Sequence, residues 1–379
     1  MSVINYVTQI QFGHGVLETL KGECNRLGIK APLVVTDVGV RAAGIVDKVL
    51  AQLGTNSGAG VYDQTPPNPN EQAVRDASEQ FRTGKHDGII AVGGGSSIDL
   101  AKGVAVCARH DGPLRSFALI EGGIENITAA TAPVIAIPTT AGTGSEVGRG
   151  AILILDDGRK VGIISPHVVP KVAICDPDLT VGLPPMLTAA TGMDAIAHCI
   201  ETFLSPLFNP PADGIALDGL RRAWSHIELA VNQPDNKTAR LNMMSASMQG
   251  ALAFQKGLGC VHSLSHSLGG INPRLHHGTL NAIFLPAVVE FNRSAPTVID
   301  EQKLERLAQA MGIAGADAVV PALTAMSQRL GLPTGLAELD VSNDLFPRII
   351  QGALADHSHK TNPKNASVED YTAMLKASM

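Results

Sequence analysis

The chain has 379 residues, a formal net charge of −6 and only 3% aromatic residues. That length serves two domains, each with its own core, and the aliphatic composition favours an α/β and α-helical protein over a β-sandwich. With no Lys/Arg cluster and no apolar run near the roughly 20 residues of a membrane span, neither a nucleic-acid surface nor a membrane anchor is expected. Met1 to Val16 lacks the basic and apolar regions of a secretory signal. Cys24, Cys107, Cys175, Cys199 and Cys260 are odd in number and form no Cys-x-x-Cys pair, which fits a reducing cytoplasm.

The first half alternates β-branched runs with helical patterns. Ala31–Asp37 (APLVVTD), Gly88–Val92 (GIIAV), Val134–Pro138 (VIAIP) and Gly150–Leu155 (GAILIL) read as strands, and Glu71–Thr83 reads as a helix. This alternation predicts a mostly parallel sheet with helices on both faces. Proline and glycine crowd at Asp176–Pro185 (DPDLTVGLPP), as at a domain border. Beyond it, Thr188–Ser205, Leu241–Phe254 and Leu304–Met311 show helical spacing of apolar residues. The expected organisation is an α/β dinucleotide-binding domain over 1–180 and an all-helical domain over 181–379, with the cleft between them as the default site.

Three features of the first half suit a dinucleotide. Val92–Lys102 reads VGGGSSIDLAK. A strand ends, three glycines turn the chain, and Ser96 or Ser97 can cap the following helix, whose free N–H groups suit a pyrophosphate. The spacing is not G-x-G-x-x-G, and a tight βα turn is the plainer reading. Pro138–Glu146 (PTTAGTGSE) offers hydroxyls from Thr139, Thr140, Thr143 and Ser145 beside bare glycine backbone. Asp37, closing LVVTD, suits the adenosine ribose and disfavours a 2′-phosphate, hence NAD over NADP, although it precedes the glycine loop.

In the second half, Asp194 and His198 (MDAIAH) share a helical face at i, i+4, as do His262 and His266 (HSLSH), and His276 and His277 follow in LHHG. One carboxylate with several imidazoles suits Fe(II), Zn(II) or a similar divalent ion. Cys199 and Cys260 flank the ligands but point from other faces. Glu201, one turn beyond His198, either orients a ligand or is an ordinary helix acid.

Together GGGSSIDLAK, PTTAGTGSE, MDAIAH, HSLSH and HHG resemble the iron-containing (group III) alcohol dehydrogenase family over almost the whole chain. The resemblance implies an N-terminal dinucleotide domain and an all-helical metal domain, an architecture shared with dehydroquinate synthase-like lyases. It implies a metal on Asp194, His198, His262 and His277, with His276 open as the alternative fourth ligand. It implies cofactor contacts from Asp37, Asn68, Gly94, Gly95, Ser96, Thr139, Thr140, Thr143 and Lys160, a proton-relaying His266, and a homodimer. ATGMDAIAHCIETFLSP, ARLNMMSASMQGALAFQKGLGCVHSLSH and DHSHKTNPK are most similar to the 4-hydroxybutyrate dehydrogenases of that family.

The expected chemistry is hydride transfer between a nicotinamide and a small primary alcohol or its aldehyde, such as 4-hydroxybutyrate and succinic semialdehyde. Arg149 is a candidate fork for a substrate carboxylate, with His359 and Lys360 behind it and an ordinary salt bridge as its plainer role. The alternatives are the same chemistry on simple alcohols or diols, a metal-dependent hydrolase, or a cyclising lyase.

Overall fold

The computed structural model describes residues 8–55 and 57–379, so residues 1–7 of the N-terminal reading lie outside the described residues. The chain divides into two compact units. One is α/β and runs to Thr140 and from Gly144 to Gly182; the other is helical and comprises Ala141–Thr143 and Leu183–Met379.

Among the described residues the α/β unit holds eight strands: β1 (Gln9–Phe12), β2 (Pro32–Val35), β3 (Gly60–Tyr62), β4 (Gly88–Gly93), β5 (Val134–Pro138), β6 (Gly150–Ile154), β7 (Lys160–Ile164) and β8 (Val172–Cys175). Six form a sheet in the order β1-β8-β5-β4-β2-β3, with every neighbouring pair parallel. Parallel strands covered on both faces read as continuous apolar runs, which is why β2, β4 and β5 stand out in the sequence. Alternate residues serve opposite layers. Leu33, Val35, Ile89 and Ala91 pack with the helices Glu71–Thr83 and Gly95–Cys107, while Val34, Ile90 and Val92 pack with Leu20, Val46 and Val49.

GAILIL differs from expectation. It is β6, and it pairs antiparallel with β7 in a separate two-stranded hairpin. Its alternating burial suits a ribbon with one face on a core. The chain leaves β2 for β3 on one side and β4 for β5 on the other. The carboxyl ends of β2 and β4 therefore form a topological switch point, where ligands of open α/β sheets bind. Asp37 lies two residues beyond β2, and Gly94–Ser97 follow β4 directly.

The helical unit is built around the helix Pro185–Leu204, buried from Thr188 onward except at Thr191. The helices Pro210–Asn232, Lys237–Leu252, Cys260–Ile271 and His277–Asn292 share its core. Proline at the first helical position fits a group that lacks an N–H to satisfy. Among the described residues no single helix is long and apolar enough to cross a membrane.

Candidate functional site

At the switch point Gly93 has φ 150°, and a Cβ there would lie 2.5 Å from Ser97 Oγ, so only glycine fits. Gly94 is the N-cap of the helix Gly95–Cys107, and no described side chain caps that helix. This corrects the expectation that Ser96 or Ser97 would do so. Both lie inside the first turn, where Ser96 Oγ donates to Pro67 O and Ser97 Oγ to Asp37 Oδ2 (3.0 Å). The first N–H groups of a 13-residue helix are thus left to an anion.

Asp37 is half-buried; its Oδ1 accepts from Val40 N at 3.0 Å, so the carboxylate is held from two sides. Thr139 N donates to Gly93 O (3.0 Å), and a Cβ on Gly94 would lie 3.3 Å from Thr140 Cγ2, which puts both threonines against the glycine turn. Lys160 Nζ donates to Asn68 Oδ1 (3.0 Å), next to the Pro67 that Ser96 holds. Asp37, Asn68, Gly94, Gly95, Ser96, Thr139, Thr140 and Lys160 are therefore linked through one set of contacts. Thr143 belongs to the helical unit.

The same helix carries a buried knot that reading the sequence missed. Lys102 is fully buried, and its ammonium donates to the carbonyls of Ser145 (2.7 Å), Gly148 (2.9 Å) and Gly150 (2.7 Å) and to Ser145 Oγ (2.8 Å). Ser145 Oγ donates to Asp99 Oδ1 (2.5 Å), and Asp99 Oδ2 accepts from Ile152 N (2.9 Å). Burial pushes Lys102 down to about 8 against the pull of Asp99 and Glu146, and pushes Glu146 up to about 7. Asp99 and Lys102 stand at i, i+3 in a helix that is otherwise apolar beyond its first turn, the signal that could have revealed them. Arg149, between two of those carbonyls, is exposed, and its guanidinium makes no ion pair or hydrogen bond among the described residues.

In the helical unit Asp194, His198 and His262 bring ligand atoms within 4.8 Å of one another, and all three are buried. Asp194 Oδ1 lies 3.5 Å from His198 Nε2, 3.8 Å from His262 Nε2 and 3.8 Å from His277 Nε2. His276, by contrast, is the exposed N-cap of the helix His277–Asn292. The other nitrogens are tied outward. His198 Nδ1 donates to Gly142 O (3.2 Å), His262 Nδ1 shares a hydrogen bond with Glu201 Oε2, and His277 Nδ1 lies 3.4 Å from Ser265 Oγ. A carbonyl can only accept, so His198 turns the Nε2 lone pair inward. Glu201 is buried, accepts also from Val261 N (2.8 Å), and is pushed up to about 8 by burial. Of its two roles left open by the sequence, orienting a ligand is the one its geometry matches.

These residues fit a divalent cation. The buried Asp194 carboxylate has no Lys or Arg partner among the described residues, and an uncompensated buried charge is costly. At the focus stands only a neutral amide: Asn281 Nδ2 is 2.7 Å from Asp194 Oδ1 and 3.1 Å from the Nε2 atoms of His262 and His277. The amide oxygen of Asn281 is buried without a partner among the described residues. Asn281 lies one turn after His277 on the same face, a spacing sequence reading overlooked. Cys199 and Cys260 are buried, their thiols pushed up by burial, to about 12 for Cys260, and neither belongs to the ligand group.

The profile of the iron-containing alcohol dehydrogenase family matches residues 7–177, and that of the Fe-containing alcohol dehydrogenase family C-terminal region matches residues 188–379. The chain belongs to the iron-containing alcohol dehydrogenase family. A 4-hydroxybutyrate dehydrogenase of Cupriavidus necator is 58% identical over 384 residues, covering 100% of both chains. A 1,3-propanediol dehydrogenase of Klebsiella pneumoniae is 36% identical over 96% of this chain and 95% of its own. The crystal structure of a 1,3-propanediol oxidoreductase superposes with a TM-score of 0.92 at 35% identity, covering 100% of both chains.

As a member of this dehydrogenase family the chain is an oxidoreductase acting on CH–OH groups. The hydrolase and cyclising-lyase readings fall away. His266 of this alcohol dehydrogenase lies among the same imidazoles: its ring centroid is 5.7 Å from that of His262 and 5.4 Å from that of His277. Its Nδ1 is 3.0 Å from Asp356 Oδ2. His359 is half-buried on Tyr371 (3.0 Å), and Lys360 is exposed.

Proposed function

We propose that this enzyme interconverts 4-hydroxybutyrate and succinic semialdehyde with NAD, using one divalent metal, Fe(II) or Zn(II), on Asp194, His198, His262 and His277. The observation that supports this most is the convergence of inward-facing nitrogens on Asp194 in a chain 58% identical, end to end, to a 4-hydroxybutyrate dehydrogenase. When bound, the cation polarises the alcohol or carbonyl oxygen as a Lewis acid and the nicotinamide accepts or returns the hydride.

The chain's own residues do the rest. Gly94, Gly95 and Ser96 receive the pyrophosphate on free helix N–H groups, and Thr139, Thr140, Asn68 and Lys160 complete the cofactor contacts of the α/β unit. Asp37 binds the adenosine ribose and repels a 2′-phosphate, which favours NAD over NADP. His266 takes the hydroxyl proton in the oxidation and returns it in the reduction. Arg149, an exposed guanidinium on a pinned backbone, receives the substrate carboxylate. Five unpaired cysteines fit a reducing cytoplasm, and a homodimer is part of the same proposal.

A panel of ω-hydroxy acids, diols and simple alcohols, with NAD and with NADP, tests this on the metal-loaded enzyme. The highest kcat/KM is expected for 4-hydroxybutyrate with NAD; preference for a diol or a neutral alcohol would reject the substrate assignment. Arg149→Ala should raise KM for succinic semialdehyde roughly tenfold or more, the value of a charge-assisted hydrogen bond, and far less for a neutral aldehyde. Equal effects on both would remove Arg149 from carboxylate recognition.

A further inference from the structure

The His266 imidazole is the middle ring of a stack. The His277 ring lies on one side, with centroids 5.4 Å apart and 15° between planes, and the His357 ring on the other, at 5.9 Å and 24°. Stacking fixes the plane of the ring, but neither which nitrogen points where nor which one carries the hydrogen. Asp356 supplies both. Its Oδ2 lies 3.0 Å from His266 Nδ1, and its Oδ1 accepts from Ser358 N at 2.8 Å, with His357 Nδ1 3.7 Å away. The Asp356 side chain is only 7% exposed, which limits competition from water for its oxygens. An ionised carboxylate only accepts, so the hydrogen between Asp356 and His266 sits on Nδ1 and the lone pair on Nε2.

We propose that Asp356 is the positioning residue for His266: it locks the ring in the Nδ1–H tautomer and leaves Nε2 as the nitrogen that exchanges a proton with the reacting oxygen. This rests on the reading of His266 as the proton carrier. The carboxylate is itself held by the turn it caps, His357–Thr361, so the orientation of the ring follows from the backbone of another part of the helical unit.

Nitrogen-15 NMR of the zinc-loaded, histidine-labelled full chain reads the tautomer directly. In the wild-type chain His266 should show a protonated Nδ1 and a bare Nε2; in Asp356→Ala the two states should mix or reverse. In turnover Asp356→Ala should lower kcat on the order of 100-fold while KM moves less than about threefold and zinc content stays unchanged. Asp356→Asn, which keeps an acceptor oxygen, should retain part of both the tautomer and the rate, and it carries the test if the alanine variant does not fold. An unchanged tautomer in Asp356→Ala, or a changed tautomer with full kcat, overturns the proposal. If His266→Ala loses kcat while Asp356→Ala does not, the role of His266 stands and that of Asp356 fails. If His266→Ala keeps full kcat, both fall.

Discussion

His262→Ala is expected to empty the metal centre and stop turnover, whereas His266→Ala keeps the metal and loses rate. His262 faces Asp194 with Nε2 while Glu201 holds its Nδ1, so its loss removes one ligand and strands a buried carboxylate. A Lewis-acid metal supplies several kcal/mol of transition-state stabilisation, so kcat should fall on the order of 1,000-fold or more. Metal analysis after dialysis should then find almost none in His262→Ala. His266, on the same helical face, is tied to Asp356 instead, and its loss should cost on the order of 100-fold in kcat, the range of general acid–base catalysis. Chelation of the wild-type enzyme should match His262→Ala, and added Fe(II) or Zn(II) should restore it. If both variants kept metal and rate, both assignments would be wrong.

Lys102→Met should be the most destabilising single change in the α/β unit. The methionine fills similar space but leaves the carbonyls of Ser145, Gly148 and Gly150 without their donor and Asp99 without its counter-charge. Breaking a buried charged cluster by removing one member costs roughly 3–5 kcal/mol. For a unit of this size that lowers Tm by about 10 °C in a thermal scan. A shift within about 2 °C would mean that water or a rearranged loop replaces the ammonium without cost.

Legibility differed by residue for physical reasons. β4 and β5 were plain because central parallel strands are apolar on both faces, and VGGGSSIDLAK marked the turn after β4. β1, β3 and β7 have half-buried or exposed positions and lack the continuous apolar run of a central strand. GAILIL has the composition of a strand, but its hairpin pairing depends on the chain that follows it. Helical spacing brought Asp194 close to His198, and His262 close to His266, because i, i+4 geometry is local. The partners that orient them were not local: Glu201 meets His262 across 61 positions, and Asp356 meets His266 across 90. His276 and His277 differ in where a helix begins, which their spacing alone does not reveal: His276 is the N-cap and His277 the first helical residue.

A crystal of the Fe(II)- or Zn(II)-loaded enzyme, with an anomalous difference map at the metal edge, tests the central claim most directly. One strong peak per chain, enclosed by the Asp194 carboxylate and the imidazoles of His198, His262 and His277, is the predicted result. A peak elsewhere, or no peak in enzyme that still turns over, would contradict it.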